Sequence, residues 1–354
     1  MGVCPSGSRG AGGRVVSNEH DTRDSADSRD DLIFGKNAVL SFLEQNQLEP
    51  DTDHKKVQEA LLTETMEKAR RAIANDDIAE LEKEIQAAVQ DLRQQTANGL
   101  KLPARSHLTP GSGIKVTKIL LANAMEHDSR VQKIKSLARQ LHIPVQAVDR
   151  KKLDQIAGPQ RRHQGVLALI SSAEMWKLDT FLQKLILDRI DRELAGESMD
   201  GYMLALLDGV EDPHNLGAII RVAEAAGVKA LFLPQRRAAG LTGTVAKTSA
   251  GALATLPVVR VGNIVQCLET LKKYGFWVAA LDLDGKELYT ESNLMRPLVI
   301  VIGSEGSGVS RLVKEHCDLL LKIPMLGKTE SLNASVAAGI MFYEVVRQSG
   351  KGKS

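Results

Sequence analysis

Six short apolar runs in the C-terminal half constrain the fold more than any other feature of the chain. They are YMLALLD (202–208), ALFLP (230–234), ATLPVVRV (254–261), FWVAALDL (276–283), PLVIVIG (297–303) and LLLKIPM (319–325). Each is far shorter than the roughly 20 residues a membrane span needs. Runs that are apolar without alternation belong to strands buried on both faces. Helix-sized segments separate them, and this alternation predicts a mainly parallel sheet covered by helices on both sides, an α/β fold. In open sheets of that kind, ligands bind where the carboxyl ends of strands pass into loops.

A second, smaller α/β unit is expected upstream. VTKILLA (116–122) and VQAV (145–148) read as strands, SRVQKIKSLARQLH (129–142) as a helix between them, and GVLALIS (165–171) as a further buried strand. FGKNAVLSFLEQ places Ala38, Val39, Phe42 and Leu43 at helical spacing, so the unit comprises residues 30–48 and 114–172. An insertion, 49–113, interrupts it. There Ile78, Leu81, Ile85, Val89 and Leu92 recur three and four apart, which predicts the second helix of a hairpin whose first helix spans residues 55–73. A Pro/Gly/Ser stretch at 102–113 closes the insertion as a loop. Phe181, Leu182, Leu185, Ile186 and Ile190 predict a helical linker in 173–200 leading into a final domain, 201–348, with a short tail at 349–354. The first 29 residues balance four acids against four arginines without an apolar signal-peptide core, and read as a disordered tail.

Net charge is only +2, but it is unevenly divided. Residues 114–172 hold eleven Lys or Arg against four Asp or Glu, a local +7, while 49–113 hold nine against twelve. Such a segment is either a solvated basic face or a module that docks a polyanion. Cys4, Cys267 and Cys317 are odd in number and form no CxxC pair, so neither a disulfide framework nor a zinc site is expected, and a reducing cytoplasm is the expected setting.

Three segments carry polar residues at strand ends that packing alone would not place there: 208–221 (DGVEDPHNLGAIIR), 300–308 (IVIGSEGSG) and 323–337 (IPMLGKTESLNASVA). In the first, Asn215 is suited to cap a helix, and Arg221 falls among Ile219, Ile220 and Val222, where a buried arginine needs a partner. In the second, glycines at 303, 306 and 308 let the backbone approach a ligand. Their GxxGxG spacing is not the GxGxxG of dinucleotide-binding enzymes, which disfavours a dehydrogenase. In the third, Ser331, Asn333 and Ser335 exceed what one helix start requires. GLTGTVAKTS has Ala246 before Lys247 where a phosphate loop needs glycine, so triphosphatase chemistry is rejected.

NLGAIIR (215–221), the IGSEGSG loop (302–308) and IPMLGKTESLNASVA, in that order, resemble the three signature motifs of the SpoU/TrmH family of RNA 2′-O-ribose methyltransferases. The likeness covers 201–348 and includes LTGTVAKTSAGALATLPV between the first two motifs. FGKNAVLSFL and RRHQGVLALIS are similar to the substrate-binding domain of the RlmB-like subgroup, which modifies large-subunit ribosomal RNA, and the insertion departs from that pattern.

The resemblance implies a knotted α/β methyltransferase domain, S-adenosylmethionine bound in the knot, a homodimer, and a guanosine of large-subunit ribosomal RNA as the target. It further implies that Gly303, Gly308, Ile323, Leu332 and Leu233 line the cofactor pocket. Arg221 would act on the ribose 2′-hydroxyl, as general base or as the cation that lowers its pKa. Asn215, Glu305, Ser331 and Asn333 would orient the reacting groups, and no metal is required. Arg161, Arg162 and His163 are the candidate RNA-docking residues of the basic unit, an ordinary exposed turn being the other reading. Transfer RNA is the alternative substrate. A non-catalytic RNA-binding protein on the same fold would be expected to lack Arg221, Glu305 or Asn333, and all three are present.

Overall fold

The computed structural model describes residues 32–45, 67–68, 71, 78–97, 116–123, 125, 128–158, 162–171, 175–283, 285–329 and 331–350. The expected N-terminal tail, residues 351–354 of the C-terminal one, most of the first insertion helix and the 102–113 loop lie outside them. In chain order the N-terminal part runs β1 (Leu32–Phe34), α1 (Lys36–Gln45), α2 (Ile78–Ala97), β2 (Val116–Ala122), α3 (Ser129–Gln140), β3 (Val145–Val148), α4 (Arg150–Ala157) and β4 (Val166–Ile170). Four strands form a sheet ordered β1-β4-β2-β3, with β2 and β3 parallel and β4 antiparallel to both β1 and β2.

Alternation along these strands fills a core on each face, the first continuous with the core of the C-terminal part. Ile33, Ile119, Leu121, Val166 and Ala168 face α1 and α3, whose Val39, Phe42, Val131 and Ile134 cover them. Leu32, Phe34, Leu120 and Leu167 face α4, through Leu153 and Ala157. The start of α3 is fixed by Asp128, which accepts the N–H groups of Arg130 at 2.9 Å and Val131 at 3.2 Å and pairs with Lys36 Nζ at 2.5 Å. The sequence expectation omitted β1 and α4. One is only three residues long, and the other offers a single short apolar stripe in RKKLDQIA.

The remainder runs β5 (Trp176–Lys177), α5 (Leu178–Leu194), β6 (Met203–Asp208), α6 (Pro213–Ala225), β7 (Leu231–Pro234), α7 (Gly243–Thr248), β8 (Val258–Val261), α8 (Ile264–Lys273), β9 (Trp277–Leu281), β10 (Glu287–Leu288), β11 (Leu298–Gly303), α9 (Arg311–Glu315), β12 (Leu319–Lys322) and α10 (Ala334–Gln348). The strands make one sheet ordered β10-β12-β9-β11-β6-β7-β8-β5, in which every pairing is parallel. All six expected runs are strands of it.

Both faces of the central strands β6, β7 and β11 are buried, which is why they lack a polar side, while the short edge strands β5 and β10 stay partly exposed. Along β6, Ala205 and Leu207 pack with α6 and α10, while Leu204 and Leu206 pack with α5 and α8. The insertion joins the second core. Leu81, Ile85 and Val89 of α2 enter the same cluster as Phe181, Leu185 and Ile186 of α5. Arg189 Nη2 donates to both carboxylate oxygens of Glu82 at 2.6 and 2.7 Å, and Gln86 Nε2 donates to Glu193 at 2.7 Å. No helix among the described residues is long and apolar enough to cross a membrane.

Candidate active site

Three segments far apart in sequence meet at the carboxyl ends of β6 and β11 and the start of α10. The first is the start of α6. Asp212 caps it, accepting the N–H groups of His214 at 3.0 Å and Asn215 at 3.4 Å, with Pro213 pre-set for the first turn. The cap is therefore Asp212, not Asn215. That frees the Asn215 side chain for other contacts.

The second segment is the loop after β11. Ser304 and Gly308 exchange backbone hydrogen bonds at 3.1 and 3.0 Å, so the chain turns back on itself within five residues. A Cβ on Gly303 would overlap the backbone of Gly308 and Val309, while Gly306 and Gly308 hold φ of +88° and +63°. The Ser304 and Ser307 hydroxyls lie 2.5 Å apart, and Asp208 at the end of β6 accepts the N–H of Ser310 at 2.8 Å. The loop is thereby braced to the sheet, with Glu305 exposed at its tip.

The third segment is the start of α10, where Asn333 is the cap and accepts Ser335 N–H at 2.9 Å through Oδ1. With Oδ1 so engaged, Nδ2 points the other way. It donates to Asn215 Oδ1 at 2.9 Å and, in a short contact, to Glu305 Oε1. The same Glu305 oxygen accepts the N–H of Ala334 at 3.4 Å, so a carboxylate sits at the positive end of α10. Asn215, Glu305 and Asn333 thus form one hydrogen-bonded group.

The other expected residues divide. Ser331 is exposed, and Leu332 and Ile323 are half-buried, Ser331 and Leu332 directly preceding Asn333 in the chain. Arg221 is exposed, not buried. Leu216, Ile219, Ile220 and Ala223 turn inward, leaving Arg221 on the outer side of α6 with Ala218 and Ala225. Six residues past Asn215, it projects about 120° around the helix from it. Its guanidinium has no hydrogen bond or ion pair among the described residues.

Leu233 is 1% exposed within the core beneath α6. His163 is buried rather than free to dock RNA: its Nδ1 accepts Gly165 N–H at 3.0 Å, leaving Nε2 to meet Asp154 at 2.8 Å. It stabilises the turn before β4, in which Val166 N–H bonds back to His163 O at 2.9 Å. Arg162 is exposed, and Arg161 lies outside the described residues. Asp208 and Asp212, which brace the site, follow a strand end and precede a proline; that placement is the signal by which sequence could identify them.

The chemistry available is that of positioned polar groups. No group of three or more His, Cys, Asp or Glu among the described residues could hold a metal ion. Burial pushes the thiols of Cys267 and Cys317 up to about 12, so neither is a ready nucleophile.

A model of the SpoU rRNA Methylase family matches residues 202–343, and one described as RNA 2′-O ribose methyltransferase substrate binding matches 111–176. Over 219 residues the chain is 45% identical to YacO of Bacillus subtilis, named as a TrmH family tRNA/rRNA methyltransferase, covering 62% of this chain and 83% of that protein. Over 237 residues it is 43% identical to a Staphylococcus haemolyticus protein of the same description, covering 67% and 90%. Among solved structures it is similar to the SpoU methyltransferase AviRb from Streptomyces viridochromogenes in complex with AdoMet, with a TM-score of 0.53 and 24% identity over 68% of this chain and 86% of that one.

Proposed function

We propose, for a chain that belongs to the SpoU/TrmH family of RNA methyltransferases, that it methylates a ribose 2′-hydroxyl of RNA with S-adenosylmethionine as donor. The observation that carries this reading is the convergence of Asn215, Glu305 and Asn333 from three separated motifs. The residues around them suit an adenosine-bearing donor. Gly306, Gly308 and Gly327 leave open space where side chains would stand, Ile323 and Leu332 add aliphatic surface, and Leu326 is 97% exposed on the adjoining loop. Backbone groups and apolar side chains bind a nucleoside without a cation that would repel a sulfonium.

The bound donor supplies an electrophilic methyl carbon on sulfur. The protein's part is to align the ribose oxygen with it and to ease loss of the hydroxyl proton. Arg221, exposed and without an ion-pair partner among the described residues, serves as the cation that stabilises the developing oxyanion rather than as the base. Asn215, Glu305 and Asn333 hold one another in register, and Ser331 offers a free hydroxyl beside them. The proton passes to bulk water, to which this exposed site is open.

The working form is a homodimer. On α10, Val336 and Tyr343 are each 50% exposed with half-buried Ile340 between them, and the neighbouring face of α6 carries Ala218, Val222 and Ala225. A second copy would cover this two-helix apolar surface, which also bears Arg221. The RNA is large-subunit ribosomal RNA with a guanosine target, on the likeness of FGKNAVLSFL and RRHQGVLALIS to that subgroup, and the unpaired cysteines support a cytoplasmic setting.

The test is 2′-O-methylation mapping of total RNA from a deletion strain, complemented with the parent or with Arg221→Ala. One site in ribosomal RNA should be lost and restored only by the parent. Loss in transfer RNA instead would redirect the substrate, and persistence of every site would sink the reading. Purified Arg221→Ala should transfer methyl groups about 10²–10³-fold more slowly, as when one oxyanion donor is removed.

A further inference from the structure

The +7 segment builds a cleft that the methyl-transfer site does not use. It lies between α3 and the edge strand β3, has a volume of about 480 Å³, and is floored by Leu121, Met125, Ile143, Val145 and Ala147. That volume falls in the range of about 300–1,000 Å³ in which small ligands bind. The sheet order ends β2-β3, so among the described residues no strand pairs with the outer edge of β3, and Val145, Gln146 and Ala147 are exposed.

Lys135 and Arg139, one turn apart on α3, form the rim. Their neighbours are engaged: Lys133 pairs with Glu44 and Lys36 with Asp128. The side chains of Lys135 and Arg139 have no such partner among the described residues. Asn123 completes the wall, and its Nδ2 donates to Asp149 Oδ1 at 2.7 Å. A carboxylate only accepts, so this bond fixes the amide and leaves Asn123 Oδ1 as a free acceptor.

An apolar floor, a fixed acceptor and two unengaged cations suit an unstacked base with its flanking phosphates. Sequence-tolerant recognition of single strands uses the same parts, with arginine planes as well as aromatics for stacking. We propose that this cleft holds one unpaired nucleotide of the RNA substrate, its base on the aliphatic floor and its phosphates on Lys135 and Arg139. The proposal rests on the RNA methyltransferase reading. The cleft is built on the N-terminal sheet and the Asn215–Glu305–Asn333 group on the C-terminal one, and they share no residue, so the cleft selects and anchors RNA without taking part in the reaction. A peptide strand added to β3 would gain nothing from the two cations, and the charge of the whole segment favours a polyanion.

The test uses the full chain and a fluorescein-labelled single-stranded decaribonucleotide carrying 4-thiouridine. Irradiation should crosslink it to peptides within residues 121–147. Ala147→Trp, which fills the cleft, and the double variant Lys135→Ala/Arg139→Ala should each weaken binding about tenfold, and the double variant should lower the salt slope by about 0.7 for each cation removed. Their S-adenosylhomocysteine affinity should match the parent's, which establishes that they are folded. Crosslinks confined to other peptides, or RNA affinity unchanged in both variants, would overturn the proposal. A parent that crosslinks at the cleft but neither binds S-adenosylhomocysteine nor methylates RNA overturns the methyltransferase reading while sustaining the RNA site.

Discussion

Asn333 donates its side-chain amide to Asn215 Oδ1 at 2.9 Å, joining residues 118 apart in sequence. The same side chain caps α10 through Oδ1, so one residue ends a loop, starts a helix and ties two motifs together. These duties are separable. Asn333→Ser keeps a capping oxygen but loses the amide donor, and should melt near the parent temperature while methyl transfer falls by about 10²-fold through misplacement of the site. Asn333→Ala should lose activity as well as about 0.5–2 kcal/mol of stability. Calorimetric melting and a tritium-transfer assay, run on both variants, check this. Full activity in the serine variant would remove Asn333 Nδ2 from the site.

Gly303 tests whether the loop after β11 is a structural device or a passive tether. A methyl group there would overlap the backbone of Gly308 and Val309 and open the Ser304–Gly308 closure. Gly303→Ala should therefore weaken S-adenosylhomocysteine binding sharply and lower the melting temperature. Gly306→Ala meets open space and has only a positive φ to overcome, at about 1–2 kcal/mol. Isothermal titration of the two variants should rank them in that order; equal affinities would exclude the role given to the closure.

The insertion helix α2 should behave as part of the C-terminal core. Ile85 is 1% exposed against α5, so Ile85→Ala should destabilise by about 2–5 kcal/mol. Hydrogen exchange should then quicken in both α2 and α5, because one packed seam protects both. Faster exchange in α2 alone would show that the insertion rests on the protein without supporting it.

Acid stability should depend on α10. The Arg347 guanidinium beside Glu344, bonded at 2.6 and 2.8 Å, holds the Glu344 carboxyl below the usual carboxylate value of 4.5, with Gln348 assisting. A carboxyl depressed in the folded state adds stability above its unfolded value and loses it as pH falls through the folded one. Glu344→Gln should lower the melting temperature at pH 7 and flatten its decline below about pH 4.5. Parallel melting curves for parent and variant across pH 3–7 would refute this assignment.

The misreadings have specific physical origins. Arg221 looked buried because α6 has apolar residues on both sides; Ala218, Val222 and Ala225 lie on the outer face, which a single chain does not cover. His163 looked like part of a basic turn because its partners, Asp154 nine residues earlier and the N–H of Gly165, are set by the approach of α4 to the turn. Asn215 looked like a cap because the actual cap, Asp212, stands just before a proline three residues upstream.

Local patterning alone determined the parallel sheet: a strand buried on both faces must be apolar throughout, and that demand is written most plainly along β6, β7 and β11. It also marked the three polar segments, because a residue type at odds with packing is visible without a fold. Only the tertiary structure decided which of those groups touch. Hydrogen bonds act over about 3 Å, and whether Asn215, Glu305 and Asn333 come that close depends on the order in which β6, β11 and β12 enter the sheet, which the sequence pattern of each strand does not encode.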